Sequence, residues 1–268
     1  MDMASVQQAI MDRIDPQTAA VVSLKVVTTV DSTNERLRRA VAEGVAGHGE
    51  VLIAGQQTAG RGRLGRQWLS PPGANLYLSL SWRVDGEPAT LEGLSLAVGC
   101  AVAESLASNL GVSVQLKWPN DLFLGNAKCG GVLIELATDP AGDWWVVIGL
   151  GLTVAMPAEN AAGIATPWTD LASHASELPA HPQVAGLVIT ALANLLLEWP
   201  DRGFAAWQHR WMARDLLHGE RIQIQQPTQS LLGRAAGIDV HGALCLETAD
   251  GTVKVQAGDA TIIRGRVA

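Results

Sequence analysis

Four arginines stand in a stretch of the chain that holds no acid. From Val51 to Val84 there is no Asp or Glu, although the whole chain carries a formal net charge of −7. Arg61, Arg63 and Arg66 alternate with Gly60, Gly62 and Gly65, and Arg83 lies beyond them. A guanidinium is a planar fork of donors that matches phosphate and carboxylate. Glycine frees the backbone and lets it approach a ligand closely. A flexible cationic loop in an acidic chain reads as an anion site; the bland alternative is a solvated basic loop. Lysine usage adds a second signal. The chain has fifteen arginines and only four lysines: Lys25, Lys117, Lys128 and Lys254. Two of the four bracket a short segment with Asn120 and Asp121 between them. A lysine kept where arginine is the habit points to a need for a compact ammonium, with chance clustering as the competing account.

The glycine spacing also excludes two familiar phosphate sites. Gly60-x-Gly62-x-x-Gly65 matches the dinucleotide-binding fingerprint, but that motif opens a helix whose N-terminus holds the pyrophosphate. Here Ser70-Pro71-Pro72-Gly73 follows, and then the strand-like run Asn75 to Leu80. A P-loop needs Gly-Lys-Ser/Thr at its end, and Gly65-Arg66-Gln67 does not supply it.

The surrounding pattern predicts the elements that must position these residues. Met1 to Val22 reads as a short helical lead with no core pattern. Ser23 to Val30 is β-rich and predicts a strand. Ser32 and Glu35 form a capping box that starts a helix through Val41; Ser32 and Thr33 serve as caps, face a ligand, or do both. Glu50 to Ala54 predicts a strand entering the arginine loop, and Asn75 to Trp82 a strand leaving it. Leu91, Leu94, Val98, Val102 and Leu106 follow helical spacing, and Gly111 ends that helix. Val112 to Leu116 predicts a strand that stops at Lys117-Trp118-Pro119, and Phe123 to Lys128 a tight hairpin. Val132 to Ala137 and Trp145 to Leu150 read as central strands. Gly149 and Gly151 in or beside the second mark close backbone approach. Ala155 to Pro179 is loop-like. Helices are expected over about Pro182 to Glu198 and Phe204 to Leu216. From Glu220 the pattern becomes short β segments, a small barrel of about fifty residues that packs on the first domain. The expected division is 1–217 and 218–268.

Composition bounds the class. A chain of 268 residues with 48% apolar content is long enough for a real core. The longest apolar run, Trp144 to Met156, is shorter than the ~20 residues that span a bilayer. No secretory signal is visible, and Cys100, Cys129 and Cys245 have no metal or redox spacing. A reduced cytoplasm is expected. The acidic balance, with pI near 5.3, gives no general affinity for nucleic acid.

Taken together and in this order, several motifs resemble those of biotin protein ligases. They are Ser32-Thr33-Asn34, Gln57 to Arg63 with Arg66 and Trp68, Ser70-Pro71, Asn75-Leu76-Tyr77, Lys117 to Asp121, and Lys128 before Gly130-Gly131. The resemblance runs from about Leu24 into the C-terminal barrel. It implies an α+β fold: a mixed β-sheet catalytic domain packed with helices, of the class II synthetase-like biotin–lipoate ligase type, with a C-terminal SH3-like β-barrel. It implies an ATP-dependent ligase that makes biotinyl-5′-AMP and pyrophosphate, then passes biotin to one lysine of a biotin carboxyl carrier domain. Under it, Ser32, Thr33, Asn34 and Gln57 lie at the biotin site. Gly60, Arg61, Gly62 and Arg63 form a closing loop, and Trp68 packs on the adenylate. Lys117, Asn120 and Asp121 lie near the phosphates or Mg²⁺. Lys128 contacts the biotin carboxylate and the α-phosphate. Gly131, Gly149 and Gly151 line the floor. Lys128, Arg61 and Asp121 are the catalytic candidates.

Two departures qualify the resemblance. Many members carry an upstream DNA-binding domain; only about twenty residues precede the first strand here, so a repressor role is not implied and a monofunctional monomer or homodimer is expected. The family's usual Asn two residues after Gly151 is replaced by Thr153, whose hydroxyl reaches less far than an amide. Three rival readings remain: a lipoate-type ligase, a non-catalytic biotin-binding adaptor, and, least favoured, a nucleic-acid binder.

Overall fold

The computed structural model describes residues 2–263 except Ala74 and Leu178. The last five residues of the expected barrel domain therefore lie outside the described residues.

A seven-stranded mixed sheet forms the frame. Its strands are β1 (Ser23–Val30), β2 (Glu50–Gln57), β3 (Asn75–Arg83), β4 (Gln115–Lys117), β5 (Asp121–Leu124), β6 (Ala127–Thr138) and β7 (Trp144–Thr153). The order across the sheet is β1-β2-β3-β7-β6-β5-β4. β1 and β2 are parallel, as a crossover through α3 (Thr33–Ala42) requires, and the remaining pairs are antiparallel.

Strand periodicity of two divides each strand between two environments. Val146, Ile148, Leu150 and Leu152 of β7 join Leu76, Leu78 and Leu80 of β3 in the main core. There they meet α4 (Leu94–Leu110) and α5 (His181–Arg202); α5, and α4 taken with the turn that precedes it from Pro88, are long and apolar enough to cross a bilayer, but more than half of each is buried here. The alternate β7 residues face the other way. Trp145 and Val147 pack with Leu37 and Val41 under α3. Gly149, Gly151 and Thr153 continue that face and are left open to a cleft.

α4 ends at Gly111, whose φ of 66° is the left-handed conformation a helix C-cap uses. The short α1 (Met3–Met11) and α2 (Pro16–Ala19) correct one expectation. Ile10, Ile14 and Val22 are buried in the main core, with Val6 packed against it. Val6, Ile10 and Ile14 are spaced four apart, so a core pattern was present in the lead. β4 is also shorter and later than expected. Val112 and Val114 are buried without joining the ladder; pairing begins where β5 and the Arg214–Leu216 backbone offer partners.

Downstream of α6 (Ala205–Met212), five antiparallel strands build the small C-terminal unit. They are β8 (Arg221–Gln225), β9 (Ser230–Ile238), β10 (Leu244–Thr248), β11 (Gly251–Val255) and β12 (Asp259–Ile262), ordered β11-β10-β9-β8-β12. The unit is tied to the first sheet at several points. Leu116 N–H donates to Arg214 O at 2.8 Å, Leu216 N–H returns to Leu116 O at 2.9 Å, and Trp118 Nε1 donates to Gly242 O at 3.1 Å.

Candidate active site

A cleft of about 790 Å³ opens on the α3 face of the large sheet. It is walled by the arginine loop, the antiparallel strands β4, β5 and β6, the segment from Met156 to Trp168, and β12 of the small unit.

One end is neutral and internally bonded. Ser32 caps α3, with Oγ accepting from Glu35 N at 3.4 Å. The reciprocal half of the expected capping box is absent: Ser32 N donates to Asp31 Oδ1, while Glu35 turns to arginines. Gln57 Oε1 accepts from Thr33 N at 2.9 Å and from Thr33 Oγ1 at 3.1 Å. Gln57 Nε2 donates to Ser70 Oγ at 2.9 Å, and Ser79 Oγ donates to Thr33 Oγ1 at 2.8 Å. Ser79 belongs to this network, and sequence reading missed it. The available signal was its register: it pairs with Gly149 across β3 and β7.

Asn34 is 3% exposed and closes this end from above. Its Nδ2 donates to Glu135 Oε2 at 2.6 Å, and its Oδ1 is buried without a partner among the described residues. The floor glycines are close approaches of backbone to side chain. A Cβ on Gly149 would come within 2.8 Å of Asn34 Oδ1, and one on Gly151 within 2.5 Å of the Trp68 ring. Gly131 differs: a Cβ there would meet Asp121 and Lys128 at an ordinary 3.5 Å.

The other end is charged. Lys128 Nζ is 2.5 Å from Asp121 Oδ1 and 5.4 Å from the centre of the Trp68 ring. Its backbone pairs with the far wall, taking Pro167 O at 3.0 Å and receiving Thr169 N–H at 2.9 Å. Lys117 lies over Phe123, and its ammonium pKa is pulled down chiefly by burial. Burial likewise lowers Arg63, whose guanidinium donates to Asn120 Oδ1 at 3.3 Å. Asn120 is fixed in turn by Nδ2 donating to Val132 O at 2.7 Å.

The arginine loop is a tight hairpin. Gly62 N donates to Arg66 O at 2.7 Å, Trp68 N donates to Gly60 O at 2.9 Å, and Arg61 bridges Gln67. Leu64 and Gly65 make the turn with φ of 55° and 73°. No α-helix follows, which fits the rejection of a dinucleotide fingerprint. Arg61 reaches back to α3, with one nitrogen 2.6 Å from Glu35 and the other 3.3 Å from Glu135. Arg66 reaches forward to Asp259 on β12 at 2.8 Å. Gly60 does not line the cleft. It packs behind it, where a Cβ would fall 2.4 Å from Trp68 O. Each other site residue expected from sequence lines the cleft.

The third wall was expected only as loop. Met156, Ala161, Ile164 and Trp168 make a small apolar cluster of their own. Asp170 pins its base, accepting from Met156 N at 3.0 Å and from Ser173 Oγ at 2.6 Å. Its only sequence signal was a pair of large apolar residues, Ile164 and Trp168, in a proline-punctuated stretch.

This arrangement can seat a molecule with a polar ring at the neutral end and anionic groups at the charged end. The family model described as the biotin/lipoate A/B protein ligase family matches residues 26–151. A second, described as the biotin protein ligase C terminal domain, matches residues 217–261. The bifunctional ligase/repressor BirA of Escherichia coli is 36% identical over 90% of this chain and 74% of its own. The biotin–[acetyl-CoA-carboxylase] ligase of Mycobacterium tuberculosis is 37% identical over 90% of this chain and 89% of its own. Among solved structures, the Aquifex aeolicus biotin protein ligase in complex with biotin and ATP superposes with a TM-score of 0.77 at 28% identity, covering 91% of this chain and 99% of the other. The mixed sheet with its appended five-stranded unit is thus the ligase fold, and the chain belongs to the biotin protein ligases, a family of enzymes.

Proposed function

We propose that the enzyme joins biotin to ATP, releasing pyrophosphate and holding biotinyl-5′-AMP, and then passes biotin to a lysine of a biotin carboxyl carrier domain. The observation that carries this reading is the division of one cleft into a neutral, hydrogen-bonded end and a cationic end, with Lys128 among the cations. The biotin ring is assigned to Ser32, Thr33, Asn34 and Gln57 over Gly149. Its carboxylate then points toward Lys128.

The first step brings a carboxylate to an α-phosphate, so anion meets anion. Placed positive charge must offset both. Lys128 is assigned to the carboxylate and the α-phosphate. Arg61 and Arg63, from the loop built on Gly60 and Gly62, are assigned to the oxygens around the reacting centre. Lys117 and Asn120 are assigned to the phosphates. Trp68 packs over Gly151 and covers the adenylate, and the apolar Met156–Trp168 wall offers a face for the base. A carboxylate oxygen of biotin attacks the α-phosphorus, the mixed anhydride P–O bond forms, and the bond to pyrophosphate breaks. Closure of the arginine loop keeps water from that anhydride.

The residues fit a Mg²⁺ bound largely through phosphates. Such an ion needs only one or two carboxylates, and Asp121 and Asp259 both line the cleft. Asp121, with Asn120, would hold it, and it would neutralise charge on the departing pyrophosphate. In the second step the carrier lysine's amine attacks the biotinyl carbonyl and AMP leaves.

We extend the proposal to a two-domain enzyme divided at 217/218 and working in the cytoplasm, where the free thiols of Cys100, Cys129 and Cys245 stay reduced. The test is biotin-dependent ATP–pyrophosphate exchange with Mg²⁺, followed by biotinylation of a carrier domain. Exchange with lipoate in place of biotin would move the assignment to the lipoate branch. Biotin binding without exchange would leave an adaptor.

A further inference from the structure

Glu135 has no part in the roles above, yet it touches two of the residues that hold them. It lies on β6, on the same face as Gly131 and Leu133. Its Oε2 accepts from Asn34 Nδ2 at 2.6 Å, and its Oε1 lies 3.3 Å from Arg61 Nη2. Arg61 Nη1 donates to Glu35 on α3 at 2.6 Å. An ionised carboxylate only accepts hydrogen bonds. The Asn34 nitrogen must therefore face Glu135, and the Asn34 oxygen must face the other way. That oxygen is buried, has no partner among the described residues, and stands against Gly149 in the cleft floor. Buried acceptors are rarely left open, and this one belongs to a side chain that lines the cleft.

We infer that Glu135 is a positioning residue for ring recognition: it locks the Asn34 amide so that Oδ1 accepts an N–H from the bound ring, while its second oxygen holds Arg61 at the mouth. This rests on the reading that the acid is biotin, whose ureido ring carries N–H donors. A dithiolane ring has none, so a locked acceptor also rejects lipoate. A site that leaves a buried polar group unpaired discriminates strongly against the analogue lacking its partner.

The test exchanges the polarity of the pair. Asn34→Asp places two carboxylates where a donor and an acceptor stood. Adding Glu135→Gln restores a donor, because the introduced glutamine amide can give its N–H to the introduced carboxylate and leave the other oxygen aimed at the ring. The charged groups facing the pair are Arg61 from the loop and Glu35 and Arg38 from α3. Biotin KM and kcat are measured in ATP–pyrophosphate exchange from pH 5.5 to 8.5, with melting temperature as the folding control. Asn34→Asp should raise the biotin KM at least about tenfold at high pH, with a smaller change in kcat. It should recover toward low pH, where the two carboxylates share a proton. The double variant should return to within about threefold of wild type and lose that pH dependence. A double variant no better than Asn34→Asp, or an Asn34→Asp enzyme with wild-type KM at high pH, overturns the inference. Absence of exchange by the wild-type enzyme overturns the biotin reading itself, whereas wild-type exchange without rescue removes only the role of Glu135.

Discussion

The two ends of the cleft solve the problem of being empty in opposite ways. At the ring end, all but one of these polar groups are satisfied by neutral neighbours or by Glu135: Thr33 bonds with Gln57 and Ser79, Gln57 with Ser70, and only Asn34 Oδ1 is left open among the described residues. Those bonds can persist when ligand arrives, so the end is organised beforehand. At the phosphate end, the bonded cations have borrowed partners. Lys128 is held by Asp121, Arg61 by Glu35 and Glu135, Arg66 by Asp259, and Arg63 by the Asn120 carbonyl. A ligand there must displace partners before it gains anything. The difference assigns shape recognition to the first end and charge-driven closure to the second. Under the proposed assignment it also explains how an enzyme with net charge −7 would receive a polyanion: its local acids keep the site cations in place until phosphate takes over as their partner.

The largest expected effect is at Lys128. Lys128→Ala should cut biotin-dependent exchange by about 10²–10³-fold or more, the usual cost of losing a donor aimed at developing charge. Lys128→Arg should fail nearly as badly, because a planar fork does not fill the space of an ammonium between two anions. Asp121 is then left beside a bulkier cation. Near-wild-type exchange by the arginine variant would show that charge alone is needed, and would break the contrast between a shaped end and a charged one.

The floor glycines sharpen the contrast within one strand face. Gly149→Ala presses on Asn34, which Glu135 already holds, so the backbone must give way. Gly151→Ala strikes the Trp68 ring. Misplacement on this scale costs about 10²-fold where geometry governs the reaction. The first variant should raise the biotin KM, and the second the ATP KM. Gly131→Ala meets only ordinary contacts and should stay within about threefold of wild type. Equal losses at all three positions would mean that the floor is a generic wall.

Those glycines also mark how far the sequence could be read. Gly149 and Gly151 in an apolar run announced a close approach, and the structure puts both on the cleft face of β7. The arginine loop was legible from composition, and the β5–β6 hairpin from Gly125 and Asn126. Three features were not legible. The third wall, Met156 to Trp168, has no regular period, so its role follows only from where Lys128 pairs with Pro167 and Thr169. Glu135 looks like a solvent-side residue of a strand, and only the approach of α3 makes it a partner. The link from Arg66 to Asp259 joins residues 193 apart in the chain, and no local pattern encodes it. Contacts between distant segments are the part of a site that spacing cannot reveal.

A smaller effect on rate, with a distinctive signature, is expected for Arg61→Gly. The variant loses the fork that meets Glu35 and Glu135 and gains backbone freedom in a loop already turning at Leu64 and Gly65. Ordering such a loop costs about 1–2 kcal/mol per residue, offset by contacts to the intermediate. The variant should still make biotinyl-5′-AMP but hold it poorly, so that bystander proteins become biotinylated. Limited proteolysis between Gln57 and Arg66 should fall when wild-type enzyme receives biotin and ATP, and fall less in the variant. Equal cleavage with and without ligand, together with no bystander labelling, would make the loop a rigid wall.

The smallest effect is expected at Thr153, the last residue of β7 and the one departure from the family motif. Thr153 is 5% exposed, and its carbonyl is occupied by Leu171 N–H at 3.0 Å. Its register partner on β3 is Asn75, whose Oδ1 accepts from Val154 N at 3.2 Å and whose Nδ2 donates to Tyr77 Oη at 3.1 Å. An amide thus already stands beside the position, engaged in holding the base of the third wall. Thr153→Asn loses a β-branched residue from a strand end, which costs at most about 1 kcal/mol. It adds a longer donor and acceptor toward the charged end of the cleft. The ATP KM should therefore fall or stay within about threefold of wild type, with kcat unchanged and a melting temperature lower by no more than a few degrees. A large rise in ATP KM would show that the longer side chain collides with the contact in which Asn75 Nδ2 donates to Met156 Sδ at 3.4 Å, and that the pocket is shaped around the hydroxyl. In that case the phosphate end would carry its own steric recognition, and the division between a shaped end and a charged end would no longer hold.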